Sequence, residues 1–325
     1  MTAVFLAAAL LTARPGRDAC TDYILTYSPA GDATGDNLAI VEENVDLAIW
    51  AADSMPWGGI IPDSVFLRYV LPARVSQEPL VRWRPVFRDA LLPHLTGVTT
   101  IEEAAVIIGG WCDSITDYQP TQMRDQSPFV TWSSGIGRCE ELTVFYMDAL
   151  RSVGIPCRQV YTPWWTTCDS NHAWPEVWTP NGWAYADIST EDLDKLPQWF
   201  DDRVSKAAIV VAIACGDVDG AVLRRGSVSV IPVTGSYADT GRLTIGDDST
   251  EVTVSVANYG ALRPVLVLEP GVRSVELGEG RFFASWGWPL QGTVFEITPG
   301  EETVIVPGEA EIPGVLRMNL KEAQE

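Results

Sequence analysis

The chain has 325 residues, 46% of them hydrophobic, and a formal net charge of −21. That length accommodates two or three domains, and that composition can bury a core, which excludes a disordered chain. No dense Lys/Arg run offsets the acidity, which argues against nucleic acid or an anionic membrane surface as partner.

Residues 4–11 and 207–214 are the longest apolar runs, and both are too short to cross a bilayer. The first has the length of a signal-peptide core. No basic segment precedes it and RPGRDAC is no clean cleavage site, so an N-terminal amphipathic helix and a cytoplasmic location are favoured over export. Residues 1–110 read as a helical region. Segment 37–52, NLAIVEENVDLAIWAA, spaces its apolar residues near the helical period. SMPWGGIIPDSVF ends that helix and starts another, with Asp63 or Ser64 as cap. Thr100 caps a further helix whose first turn holds Glu102 and Glu103. The polar stretch TDYQPTQMRDQSPFVTW reads as a loop.

From Cys139 to Val153 the pattern is an amphipathic helix, with Leu142, Phe145, Tyr146, Ala149, Leu150 and Val153 on one face. Gly154 and Pro156 end it. IPCRQVY reads as a strand, and NHAWPEVW and WAYADI as a hairpin joined by TPNG. After residue 206 the segments are short, β-rich and punctuated by Gly, Pro and Asp, which predicts a separate β-sandwich. The fold class is therefore α+β: a helical region (1–110), a helix-and-sheet core (111–205) and a sandwich (206–325).

Six cysteines are scattered without a CxxC pair, so a zinc ribbon is not expected, and the even count permits disulfides without implying them. Only two histidines are present, His94 and His172. Within SSGIGRCEEL, Cys139 opens a helix directly after a glycine-punctuated loop. A thiol attacks poorly until it loses its proton, and a helix N-terminus favours the thiolate. His172, the one histidine downstream, is the available proton acceptor. A two- or four-residue turn in TPNG sets Asp187 opposite Trp174 or Glu176, on the face of His172 and diagonal to it. Pro175 cannot donate to a ladder, and a bulge there breaks this parity. On spacing alone, a buried thiol and a structural histidine remain open readings.

Several further residues are candidates. Beside the Cys139 backbone N–H, an oxyanion donor is expected upstream, with Tyr118 ranked ahead of Gln119 and Trp132. Trp164, Trp165 and Trp174 are candidate groove-lining residues, and His94 is expected to be structural. GDVDGA, residues 216–221, is too short for a calcium loop and reads as a turn.

GIGRCEELTVFYMDALRSVGIPCRQVYTP, followed by DSNHAWPEVWTPNGWAYADIS, resembles the transglutaminase-like superfamily core. The matching positions are Gly137 and Cys139; Leu150, Arg151, Gly154, Ile155, Pro156 and Arg158; His172, Ala173, Trp174, Glu176 and Val177; and Trp183 and Asp187. Cys157 and Pro175 depart from the family pattern. The β-rich tail more loosely resembles Ig-like or carboxypeptidase-regulatory-like sandwiches. The resemblance implies a papain-like triad, with Cys139 as nucleophile, His172 as general base and acid, and Asp187 as orienting carboxylate. It implies acyl transfer from a protein or peptide substrate through a thioester, without cofactor or metal. Hydrolysis of peptide or amide bonds is favoured; glutamine crosslinking and an idle binding scaffold are the alternatives.

Overall fold

The structure, a computed structural model, describes residues 14–120, 125–247 and 249–308. The apolar run at 4–11 lies outside the described residues. The chain begins with α1 (Arg17–Thr26), α2 (Gly35–Ser54), α3 (Asp63–Tyr69), α4 (Trp83–Leu91) and α5 (Ile101–Asp113). Thr100 caps α5, its hydroxyl accepting the Glu103 N–H at 3.3 Å. Asp63 and Ser64 do not cap α3. Pro62 occupies that position, and Asp63 lies in the first turn, where its charge meets the positive end of the helix.

A short parallel pair, β1 (Asp117–Tyr118) and β2 (Ile136–Gly137), brackets α6 (Pro128–Ser134). The expected loop over 116–132 thus contains a helix start. Ser127 followed by Pro128 at the first helical position is a start signal that a reading of proline as a breaker misses. Gly135 closes α6 at φ 68°, a left-handed conformation that favours glycine.

Next comes α7 (Cys139–Ser152), and it is not amphipathic in its surroundings: every residue from Glu141 to Ser152 is buried. The sheet covers one side, and α2, α4, α5 and α6 cover the other. Polar side chains of α7 have partners on both sides, with Thr143 donating to the Ala173 carbonyl of the sheet. Arg151 donates to the carbonyls of Tyr69, Arg74 and Cys157, while Arg84 donates to Asn44, Val70 and Arg151. Helices from the N-terminal region and α7 share one apolar cluster, including Val45, Phe66, Phe87, Ile108, Phe145 and Leu150. The chain therefore packs continuously across residue 110.

The strands β3 (Cys157–Thr162), β4 (His172–Thr179) and β5 (Gly182–Tyr185) follow, then α8 (Gln198–Val204). Three more strands, β6 (Val211–Cys215), β7 (Leu223–Arg225) and β8 (Val228–Pro232), complete a six-stranded sheet in the order β5-β4-β3-β6-β8-β7. Val160 of β3 pairs with Ala212 of β6, so the core sheet runs past the expected boundary at residue 206. The sandwich is formed further on, by β9 (Thr240–Ile245), β10 (Val252–Asn258), β11 (Ala261–Leu268), β12 (Ser274–Gly278), β13 (Gly280–Trp286), β14 (Gln291–Ile297) and β15 (Glu302–Ile305). Sheets β11-β10-β13-β14 and β12-β9-β15 bury Val254, Phe282 and Phe295 against Leu243, Leu277 and Ile305. The molecule is α+β, with a helical N-terminal region, a helix packed on an antiparallel sheet and a C-terminal sandwich.

Candidate active site

Cys139 is the first residue of α7 and is half-buried. Glu141 fixes this helix start, its carboxylate accepting the Arg138 backbone N–H at 3.0 Å and the guanidinium at 2.9 Å. The backbone N–H groups of Ala173 and Glu140 point at the Cys139 sulfur and favour its thiolate. Burial outweighs them and pushes the thiol up from its ordinary value. The helix start alone therefore does not offset burial, and the thiol still needs a proton acceptor.

The β4–β5 hairpin positions the next two residues. Pro175 enters the ladder opposite Gln159 without a register shift, and its carbonyl accepts the Ala186 N–H at 3.1 Å. Glu176 pairs with Tyr185, so the continuing register sets Asp187 across from Trp174 and diagonal to His172. Gly109 lets α5 approach this segment: a Cβ there would stand 3.2 Å from the Asp187 carbonyl oxygen. The Asp187 carboxylate accepts the Ile188 N–H at 2.6 Å, with the Tyr185 hydroxyl at 3.4 Å. Burial nonetheless raises its pKa from the ordinary carboxylate value.

His172 sits in an aromatic box. Its ring centroid is 6.2 Å from that of Trp165, 5.6 Å from Trp174, 5.5 Å from Trp199 and 5.5 Å from Phe200. Desolvation in this box, with the nearby Arg203 charge, pushes the imidazole down to about 4, so it is neutral at pH 7. No hydrogen bond joins Cys139, His172 and Asp187 to one another. All three, however, line one cleft of about 480 Å³.

Tyr118, Trp165 and Trp174 line the same cleft, Tyr118 as an exposed rim residue and the two tryptophans as buried walls. Gln119, Trp132 and Trp164 do not line it. Gln119 spends its backbone N–H on Gly137. Trp132 packs edge-on against Phe87 and Trp111, and Trp164 lies under the Arg263 guanidinium at 4.5 Å. Their apolar surfaces are used in packing, which a sequence cannot distinguish from groove lining.

Sequence reasoning missed α8 and its cleft residues Trp199 and Arg203. Pro197 followed by Trp199/Arg203 and Phe200/Val204, each pair four apart, was the available signal. Tyr237 was missed as well: its hydroxyl donates to Glu176 at 2.6 Å and accepts from the Trp174 indole at 2.9 Å. Nothing local marks it, because it lies 61 residues beyond Glu176. Among the described residues, no helix is long and apolar enough to cross a membrane, and no group of three His, Cys, Asp or Glu side chains is arranged to hold a metal.

Residues 90–188, which contain all three cleft positions, match the model of the transglutaminase-like superfamily core. This segment is thus similar to transglutaminase-like superfamily domains. No curated protein matches the chain. Among solved structures, it is similar to a candidate cysteine protease from Cytophaga hutchinsonii at 12% identity, over 85% of this chain and 62% of that one, with a TM-score of 0.30. It is also similar to LapG of Legionella pneumophila at 14% identity, over 59% and 91% of the two chains, with a TM-score of 0.30. Red sea bream transglutaminase aligns at 11% identity over 69% and 58%, with a TM-score of 0.31. This chain thus spans less than two thirds of the Cytophaga protein's length.

Proposed function

We propose that the protein is a cysteine-dependent acyl-transfer enzyme that hydrolyses peptide or amide bonds through a thioester on Cys139. The carrying observation is the cleft in the transglutaminase-like domain that holds a helix-start cysteine together with His172 and Asp187. His172 accepts the thiol proton as sulfur attacks the carbonyl carbon, forming a C–S bond and an oxyanion. The C–N bond then breaks, and His172 returns the proton to the leaving amine. In the second half, His172 takes a proton from water as hydroxide adds to the thioester; the C–S bond then breaks, the acid is released and His172 returns that proton to the Cys139 sulfur. Asp187 orients the imidazole once substrate draws the three groups together, since catalytic hydrogen bonds tighten in the bound complex. Hydrolysis is favoured over crosslinking because exposed Asp113, Asp117, Tyr118 and Trp199 form the rim, leaving water a path to the thioester.

In the free protein both thiol and imidazole are neutral, so proton transfer accompanies attack. The acid limb of kcat/KM is therefore expected near the depressed His172 value of about 4, not near 6.5. The test is turnover of a peptide-amide library by wild type and Cys139→Ala, with and without an added primary amine. Turnover is expected to fall at least ~10³-fold in the variant, with acid as the product. Equal turnover by the two proteins refutes the reading, and amine incorporation in place of acid moves it to transamidation.

A further inference from the structure

Helix α8 shows two stripes. Phe200 and Val204 are fully buried beside Trp174 and Tyr185, which seats the helix on the sheet. Trp199 and Arg203, also four residues apart, line the cleft beside His172. The rest of the lining carries charge of the other sign: Asp113 from α5, Asp117 from β1 and Asp187 after β5. Arg203, an exposed residue, is thus the one arginine among the cleft-lining residues, in a lining that otherwise carries three aspartates.

Among the described residues Arg203 forms no ion pair. Its one hydrogen-bonding contact is with the Cys168 sulfur, at 3.9 Å. Asp201 and Asp202 on the same helix do not engage it, although the chain carries 43 acidic residues. A guanidinium presents a planar fork of donors suited to a carboxylate, and here that fork is left for an incoming group. Its position also has a chemical consequence. A lone positive charge beside an imidazole opposes protonation of the imidazole, and protonation is what a general base must undergo. An anion seated on Arg203 cancels that opposition at the moment of attack.

We infer that Arg203 selects substrates bearing a carboxylate side chain, Asp or Glu, near the scissile amide, and that this carboxylate completes the charge balance around His172. The inference rests on the proposed hydrolase reading for its catalytic meaning. Recognition itself can be read without turnover. The charged and titratable groups that line the cleft with His172 are Arg203 from α8, Cys139 and Tyr146 from α7, Asp113 from α5, Asp117 and Tyr118 from β1, and Asp187. Of these, Arg203 is the one that substrate charge is positioned to neutralise.

The experiment measures binding of an acetylated peptide amide containing Glu, and of its Gln isostere, to the Cys139→Ala protein. The same peptides are then tested on the double variant that also carries Arg203→Gln. Tryptophan fluorescence reports binding, since Trp165, Trp174 and Trp199 line the cleft. With Arg203 present, the Glu peptide at its best position is expected to bind ~10-fold more tightly, the ratio that one partly exposed charged hydrogen bond of ~1.4 kcal/mol supports. With Gln at 203 the ratio falls to ~1, and Arg203→Lys restores part of it. A Glu/Gln ratio near one in the Arg203 protein, or one unchanged by Arg203→Gln, overturns the inference. A second readout is the imidazole titration by nitrogen NMR, which is simple because the chain has only two histidines. Arg203→Gln is expected to shift His172 upward; an unmoved His172 also overturns it. Failure of wild type to hydrolyse any peptide sinks the hydrolase reading while leaving these two measurements to decide on Arg203.

Discussion

The two faces of the core sheet bury charge in opposite ways. On the far face from α7, the Glu176 carboxylate is fully partnered: Arg158 Nε donates at 2.6 Å, and the Tyr237 hydroxyl donates at 2.6 Å to the other oxygen. Arg158 also lies over the Trp183 ring at 4.1 Å. On the helical side, Asp148 of α7 is completely buried, and neither of its oxygens has a hydrogen-bond partner among the described residues. Arg84 and Arg151 are nearby, but their donors go to backbone carbonyls and Asn44. Burial takes both carboxylates out of water, and only the first has hydrogen-bond partners to offset it. The partners of Glu176 tie β3, β4 and Tyr237 together, whereas burial drives the unpartnered Asp148 toward its neutral form.

Breaking the paired side is expected to give the largest effect. Glu176→Ala strands the Arg158 guanidinium and the Tyr237 hydroxyl in a dry interior, at a cost of about 3–5 kcal/mol. The denaturant midpoint checks this, and a loss below ~1 kcal/mol refutes the view that Glu176 holds the face together. Because Trp174 shares Tyr237 and also packs on His172, activity is expected to fall with it.

The aromatic face has a second support that the helical face lacks. Asn258, buried at the end of β10, donates its amide N–H groups to the carbonyls of Trp165 at 2.6 Å and Cys168 at 3.0 Å. Arg263 of β11 adds a 3.2 Å ion pair to Asp169. The sandwich thus holds the loop that lays Trp165 over His172. Asn258→Ala is expected to lower stability by about 1–3 kcal/mol, and to lower kcat/KM beyond what that loss explains. Leu243→Ala, in the sandwich core, is the control that destabilises without touching the loop. Equal kcat/KM in the two variants reduces Asn258 to a packing role.

Legibility in the sequence followed the range of the interaction that sets each feature. Thr100, the start of α7 at Cys139, and the hairpin that sets Asp187 diagonal to His172 depend on neighbours within a few residues. Local patterning therefore reaches them. The wrapping of α7 does not: Asp148, Arg151 and Ser152 look solvent-facing until α4 and the segment after α3 close over them. The extension of the core sheet through β6 to β8 depends on long-range pairing of Val160 with Ala212, which no local pattern carries. Groove candidates separated for the same reason. Trp164 and Trp165 are adjacent, yet one faces Arg263 and the other His172.

The smallest effect sharpens the comparison from its unpaired side. Burial raises Asp148 well above the ordinary carboxylate value, with Glu78 pushing it further up and Arg151 and Arg84 opposing. A raised folded-state value means that folding favours the protonated acid. Its contribution is fully present below the unfolded-state value of about 3.9 and is lost as pH rises toward the folded-state value. At neutral pH Asp148 therefore costs stability, because the unfolded chain gains by ionising it. Asp148→Asn keeps the shape and removes the titration. The variant is expected to match wild type at about pH 4 and to exceed it by on the order of 1 kcal/mol or more at about pH 7–8, since each tenfold difference in proton affinity between the two states is worth about 1.4 kcal/mol. Urea unfolding across that range measures the difference. If Asp148→Asn is instead less stable at neutral than at acid pH relative to wild type, Asp148 is ionised and paired with the two arginines, and both faces of the sheet bury their charge in the same way.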